Sequence, residues 1–426
     1  MNIHIKNGRL IDPKNGIDAQ RDVFVADKRV AAIGSAPAGF VAEHVIDAGG
    51  LIVIPGLVDV AARLREPGYE YRATLESEMA AAMAGGVTSL ACPPDTDPPL
   101  DEPGLVEMLK HRARSLNQAR VFPVGALTYG LKGAELTEMI ELSEAGCKAF
   151  GHADVPLTDT RVLFRAMQYA ATFGYRVWLR PQDSFLAADA VAHDGEVATR
   201  LGLPGIPAVA ETVALSTMLK LAQQTGVTLH VCRISSAAGV ELVRAAKRDG
   251  LRISCDVSMN NVHLTEMDIG YFDSNCHLTP PLRSLRDKAA LRAGLLDGTI
   301  DAICSDHSPV DEDAKQLPFA EAEAGATGVE LLLPLVLKWA EQDQVPLLDA
   351  LARVTSNPAR LLGVKTGHLS PGAHADVCIF DPAAAWKVEA GALKSQGKNT
   401  PFNGYTVQGR VRHTIVEGHI AFSLNE

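Results

Sequence analysis

The sequence predicts an α/β protein: a (β/α)8 TIM-like barrel with a small β-sandwich domain built from both termini. Three observations carry that prediction. Short apolar strands alternate with amphipathic helical stretches through the middle of the 426-residue chain. Short alternating segments, divided by turn pairs, occupy both ends. The polar residues of chemical interest fall just after the middle strands, where barrel active sites sit. A doubly wound sheet is the alternative, and the third observation favours the barrel.

Residues 1–53 hold the strand candidates Ile3-His4-Ile5, Val23-Phe24-Val25, Val30-Ala31-Ala32-Ile33 and Val45-Ile46. Asn7-Gly8 and Asn15-Gly16 are the turn signals between strands. The same texture returns over residues 366–426, in Asp376–Phe380, Val411–Val416 and His419–Phe422. The two ends are expected to pair into one β-sandwich domain. Residues 54–365 form the expected barrel. Its strand candidates are Leu57–Val60, Val87–Ala91, Val121–Gly125, Cys147–Phe150, Arg176–Leu179, Thr228–Cys232, Arg252–Asp256 and Ala302–Ser305. Helical patterns fall between them at Leu75–Ala84, Glu102–Ala113, Arg161–Phe173, Ala210–Gln223 and Ala237–Arg248.

Composition bounds the function. A formal charge of −11 argues against a nucleic-acid partner. There is no run of about 18 apolar residues, so no membrane span is expected. The first residues alternate like a strand and lack the apolar stretch of a signal peptide. Seven cysteines are scattered without a Cys-x-x-Cys pair, which reads as free thiols in a reducing cytoplasm. There is no Gly-x-Ser-x-Gly elbow, and Gly85-Gly86 is not a phosphate loop.

The segments Pro55-Gly56-Leu57-Val58-Asp59, Leu64-Arg65-Glu66-Pro67-Gly68, Leu201–Pro207, Thr279-Pro280-Pro281-Leu282-Arg283, Asp301–Pro309 and Asn399–Gly404 occur in a telling order. In that order they resemble the dihydroorotases and related cyclic amidohydrolases, over essentially the whole chain. The resemblance implies a binuclear zinc centre, with ligands after strands one, four, five, six and eight. It also shows that most of those ligands are gone. The strand-one His-x-His pair is replaced by Ala61 and Arg63. The strand-four acidic ligand falls at His152, and a slip of one or two residues would bring in Asp154. The strand-five and strand-six ligands become Arg180 and Arg233. Only the catalytic aspartate after strand eight persists, as a vestigial Asp306. Alanine has no donor atom and arginine is always protonated, so neither holds a cation.

Three arginines at former ligand positions are therefore expected to converge on Asp306 and to stand in for the metal. Asp183 is the candidate for an extra carboxylate among them. The substrate-contact positions implied by the resemblance are Arg65, kept, and Asp95 and Thr279, both changed from the family's residues. A rival metal site built from His230, His263 and His277 is conceivable; along its strand His230 shares a side with Cys232 rather than Arg233. The resemblance runs closest to dihydroorotase-like chains of some bacteria that lack these ligands and serve as non-catalytic subunits of aspartate transcarbamoylase. The expectation is accordingly a non-catalytic, cytoplasmic protein of pyrimidine biosynthesis with no cofactor and a transcarbamoylase partner. The alternatives are an active dihydroorotase or related cyclic amidase with zinc in a rearranged site, and a metal-independent binder of a small anion at the arginine cluster.

Overall fold

Each apolar run in the middle of the chain is too short for a helix and is bounded by turns, and each forms a parallel strand. The computed structural model describes residues 1–424. Its central strands are β1 (Leu57–Asp59), β2 (Val87–Cys92), β3 (Arg120–Ala126), β4 (Ala149–Gly151), β5 (Arg176–Leu179), β6 (Thr228–Val231), β7 (Ile253–Ser258) and β8 (Ala302–Cys304). They pair in chain order as one eight-stranded sheet, and every pairing is parallel. Helices return the chain between strands. Several begin at residues whose side chains satisfy free backbone amides, as Thr74, Ser236 and Ser284 do.

The sheet closes just beyond its strand ends. Ala62 and His307 form a parallel bridge, and Arg63 N–H donates to the His307 carbonyl at 2.8 Å. Asp59 fastens the same seam from within. Its carboxylate accepts from the Ala61 and Ser305 amides at 3.2 and 3.1 Å and from the Ser305 hydroxyl. The barrel interior is filled by side chains such as Val58, Val124, Ala149, Trp178, Ala302 and Cys304. Leu361 and Leu362 of the helix Ser356–Leu362 pack into the same cluster. The fold is thus a filled (β/α)8 barrel, as the alternating pattern predicts.

The chain ends form two further sheets. One has four strands, in the order Arg29–Ile33, Val23–Ala26, Ile3–Lys6, His44–Asp47. The other has six: His419–Ser423, Thr406–Val416, Val377–Lys387, Ile52–Pro55, Arg9–Asp12 and Ile17–Gln20. Val377–Lys387 pairs antiparallel with Ile52–Pro55, which joins the two ends. Ile3, Ile5, Val25, Val53, Val377 and Ile415 share a core distinct from that of the barrel. Ile52–Pro55 is not among the strands read from the sequence, because Leu51–Val60 looks like one apolar run. Gly56 divides it. A Cβ at that position would lie 2.2 Å from the Thr88 hydroxyl, so only glycine lets the chain pass from one sheet into the other.

Burial, reinforced by nearby Arg292 and Lys315, pushes the imidazoles of His263 and His277 down to about 3 and about 4. In the unfolded chain both titrate near 6.5. The unfolded state therefore binds more protons between these values. The stability that neutral His263 and His277 allow is complete above pH 6.5 and is lost as the pH falls towards 4. The unfolding midpoint is expected to drop over that window, and His277→Leu is expected to make the drop shallower in thermal melts across the range. Asp59→Ala leaves two buried amides and a hydroxyl without their acceptor. It is expected to cost about 3 kcal/mol in urea unfolding, from desolvated donors left unpaired.

Candidate functional site

The strand ends deliver their polar side chains to one place, and the carboxylate they meet on is Asp154. Arg63, after β1, donates from Nη2 to Asp154 Oδ2 at 2.6 Å. Arg180, after β5, donates from Nε to Asp154 Oδ1 at 2.6 Å and from Nη2 to the Asp154 carbonyl at 3.1 Å. Arg233, after β6, donates to the same carboxylate from Nη2 and reaches Asp306 Oδ1 with Nη1 at 2.8 Å. The Thr279 carbonyl takes a further bond from Arg233 Nη1 at 3.1 Å. Arg63 is completed by Asp95 Oδ2 at 2.7 Å and the Ser308 hydroxyl at 2.9 Å. Three guanidiniums thus face three carboxylates, Asp95, Asp154 and Asp306.

Charge explains the protonation states. Burial alone would raise the Asp154 carboxyl, but Arg233, Arg63 and Arg180 outweigh it and hold the group well below the usual carboxylate range. Burial pushes Asp306 up, opposed by Arg233 and Arg63 and helped by Asp154. Burial disfavours the charge on Arg63 and Arg233 as well, yet their carboxylate partners raise both above the usual arginine value.

Several expectations need correction. The arginines do not converge on Asp306, which among the described residues bonds to Arg233 alone; the hub is Asp154. His152 faces elsewhere. Its Nδ1 donates to the Val155 carbonyl at 2.8 Å, so its Nε2 accepts from the Thr128 hydroxyl at 2.8 Å. The chain turns through Ala153, whose φ of +49° is unusual for a residue with a side chain. That turn, which no periodicity reveals, brings Asp154 to the centre. Asp183 takes no part: it caps the Phe185 and Leu186 amides at 3.0 and 2.9 Å. Gln182, its neighbour, accepts from Arg180 instead. Ser308 was also missed, for want of any motif that marks a hydroxyl as a guanidinium partner.

The remaining positions are occupied differently from a substrate site. Asp95 is spent on Arg63. Thr279 contributes its carbonyl rather than its side chain. Arg65 is buried, and its Nε donates to the Pro309 carbonyl at 2.8 Å. Burial and then Arg63 lower its guanidinium to about 10. Ala61 lines a cavity of about 30 Å³ together with Pro94, Gly151, Trp178, Cys232 and Arg233. A void of that size holds a water or two, whereas small-molecule sites run to roughly 300–1,000 Å³.

The histidines do not assemble either. His263 bonds to the Leu335 carbonyl, and His277 stacks on Phe319. His230 lies close to Cys232 and Asp256, within reach of a shared cation. Both of its ring nitrogens are engaged, with Ser254 at 2.9 Å and Asp256 at 2.7 Å. Asp256 also accepts the Arg233 amide at 2.9 Å. A metal there would displace these bonds beside the Arg233 guanidinium, so the group reads as internal hydrogen bonding.

Known proteins place the chain. A family model described as dihydro-orotase-like matches residues 50–238, and one for the amidohydrolase family matches residues 185–421. A dihydroorotase-like protein of Pseudomonas putida is 45% identical over 99% of both chains. The chain belongs to the dihydroorotase-like family. Another dihydroorotase-like protein, of Pseudomonas aeruginosa, is 43% identical over 99% of both chains. A dihydroorotase of Geobacter sp. is 40% identical over 99% of both. Among solved structures, the L-hydantoinase (dihydropyrimidinase) of Arthrobacter aurescens superposes with a TM-score of 0.88 at 26% identity, covering 100% of this chain and 97% of that one.

A dihydroorotase-like barrel implies zinc at these strand ends, and the residues do not fit it. Of the six positions, Ala61 offers no donor, three carry arginine, His152 is turned away, and Asp306 is already bonded to a guanidinium. Asp154 has three cationic partners of its own. An open zinc site needs three protein donors. Placing a dication among three fixed guanidiniums would add repulsion where attraction is needed.

Asp154→Ala would leave three guanidiniums facing one another. Breaking a buried ion pair is costly, and 29% of the Asp154 side chain is exposed; the expected loss is about 3 kcal/mol in urea unfolding, near the low end for such pairs. Adding Arg233→Met to that variant is expected to restore part of the loss. The Asp154 contribution is complete above its unfolded value of 3.8 and is lost as the pH falls below it.

Proposed function

We propose that this dihydroorotase-like chain is a non-catalytic member of its family, acting in pyrimidine biosynthesis as a structural subunit of aspartate transcarbamoylase. The observation that carries the reading is the Asp154 hub. Arg63, Arg180 and Arg233 neutralise the carboxylates at the strand ends and stand at positions where metal ligands would be needed. The cavity left at Ala61, about 30 Å³, supports the same conclusion. Hydrolysis of a cyclic amide needs an activated water and an electrophilic partner for the carbonyl. Fixed arginines supply positive charge but no group to take a proton, since they stay protonated.

A barrel that has lost its chemistry retains its outer surface, because core packing and strand-end side chains are separate determinants. That surface is what a partner would bind. The second reading, an active cyclic amidase, is favoured by relatives named dihydroorotase at 40% identity. Family likeness at that level sets the fold, whereas activity depends on a few residues at the strand ends.

The test is co-expression of this chain with the aspartate transcarbamoylase catalytic chain of the same organism. Size-exclusion chromatography with light scattering is expected to show the two eluting as one hetero-oligomer. Separate elution at micromolar concentration of both would refute the partnership.

A further inference from the structure

At the opposite end of the barrel from the arginine cluster lies a cleft that the dihydroorotase-like reading does not use. We propose that it binds a nucleotide, with phosphates on its cationic wall and the ring system against its apolar floor. The cleft has a volume of about 720 Å³, within the roughly 300–1,000 Å³ of small-molecule sites. It opens beside Arg120, the first residue of β3. That strand has seven residues, so the cleft is about 20 Å from the strand ends at 3.3 Å per residue.

In a protein of net charge −11 the wall is cationic. Lys28, Lys110, Arg114, Arg120, Lys148 and His419 line it, with Glu417 as the single carboxylate. Glu417 is already engaged by Arg120 at 3.1 Å, and Arg120 is shared with Asp376. Among the described residues, Lys110, Arg114 and Lys148 have no carboxylate within 4.0 Å. Lys110 is held in place by one bond, from Nζ to the Ala145 carbonyl at 2.7 Å. Gly146 makes room for that ammonium: its φ is +121°, and a Cβ there would lie 1.7 Å from Lys110 Nζ. Burial lowers the Lys110 ammonium, and the next contributions come from the like charges of Arg114 and Lys148. Three cations facing one space, none of them paired with a carboxylate within 4.0 Å among the described residues, favour a polyanion.

The lining narrows the ligand further. Ala113, Ala119, Val121 and Phe122 add an apolar surface to it, suited to a planar ring.

Isothermal titration of the full-length protein with ATP, inorganic triphosphate and adenosine separates the possibilities. ATP is expected to bind saturably, and more tightly than either fragment. Arg114→Glu with Lys148→Glu is expected to weaken ATP binding by at least about tenfold, through loss of charged contacts. Both residues are exposed, and an unchanged melting temperature without ligand would verify the fold of the variant; Lys110→Met provides an independent second variant with the same expected direction. The proposal is overturned by absence of saturable binding at millimolar ATP, by ATP affinity that survives both variants, or by inorganic triphosphate binding as tightly as ATP. None of these outcomes depends on whether the strand-end cluster is catalytic.

Discussion

One carboxylate organises the mouth of this barrel. Asp154 accepts from three arginines that enter on β1, β5 and β6, and through Arg233 it is coupled to Asp306 after β8. An arginine buried alone is costly, and so is a buried carboxylate. Together they are tolerable only as a set, because each guanidinium fork finds oxygen atoms on at least two partners. The arrangement is an ion-pair network in the place where its relatives' motif calls for metal. It ties together the ends of β1, β2, β4, β5, β6 and β8.

Other contacts hold the rest of the fold. The barrel is sealed at the Ala62–His307 bridge and by Asp59, and side chains from Val58 to Cys304 fill its interior. The terminal sheets have a core of their own. A chain with this division can exchange its strand-end side chains while keeping its shape. Hydrophobic packing sets the scaffold, and a handful of polar groups sets what the scaffold can do.

The alternation of strands and helices made the barrel legible, down to Arg176–Leu179 and Leu75–Ala84, whose ends match residue for residue. The pairing of the two chain ends was legible in their shared alternating texture. Ile52–Pro55 was not, because an apolar run shows no seam where glycine passes it from sheet to sheet. At the site, residue types were informative and geometry was not. That Ala61, Arg63, Arg180 and Arg233 cannot hold zinc follows from their chemistry alone. Which carboxylate they meet depends on a left-handed turn at Ala153 that leaves His152 on Thr128 and Val155 and brings Asp154 to the arginines. A spacing of two residues cannot disclose that. Asp183 stood beside the right strand but bonds to local amides, a use that competes with ion pairing wherever an aspartate begins a turn.

The most direct measurement is zinc content by elemental analysis together with dihydroorotate hydrolysis, on one sample purified in the presence of zinc. A barrel mouth occupied by guanidiniums predicts metal far below one equivalent and no turnover above background. Stoichiometric zinc accompanied by hydrolysis would contradict the account, since it would require the Asp154 network to open and donors other than Arg63, Arg180 and Arg233 to take its place.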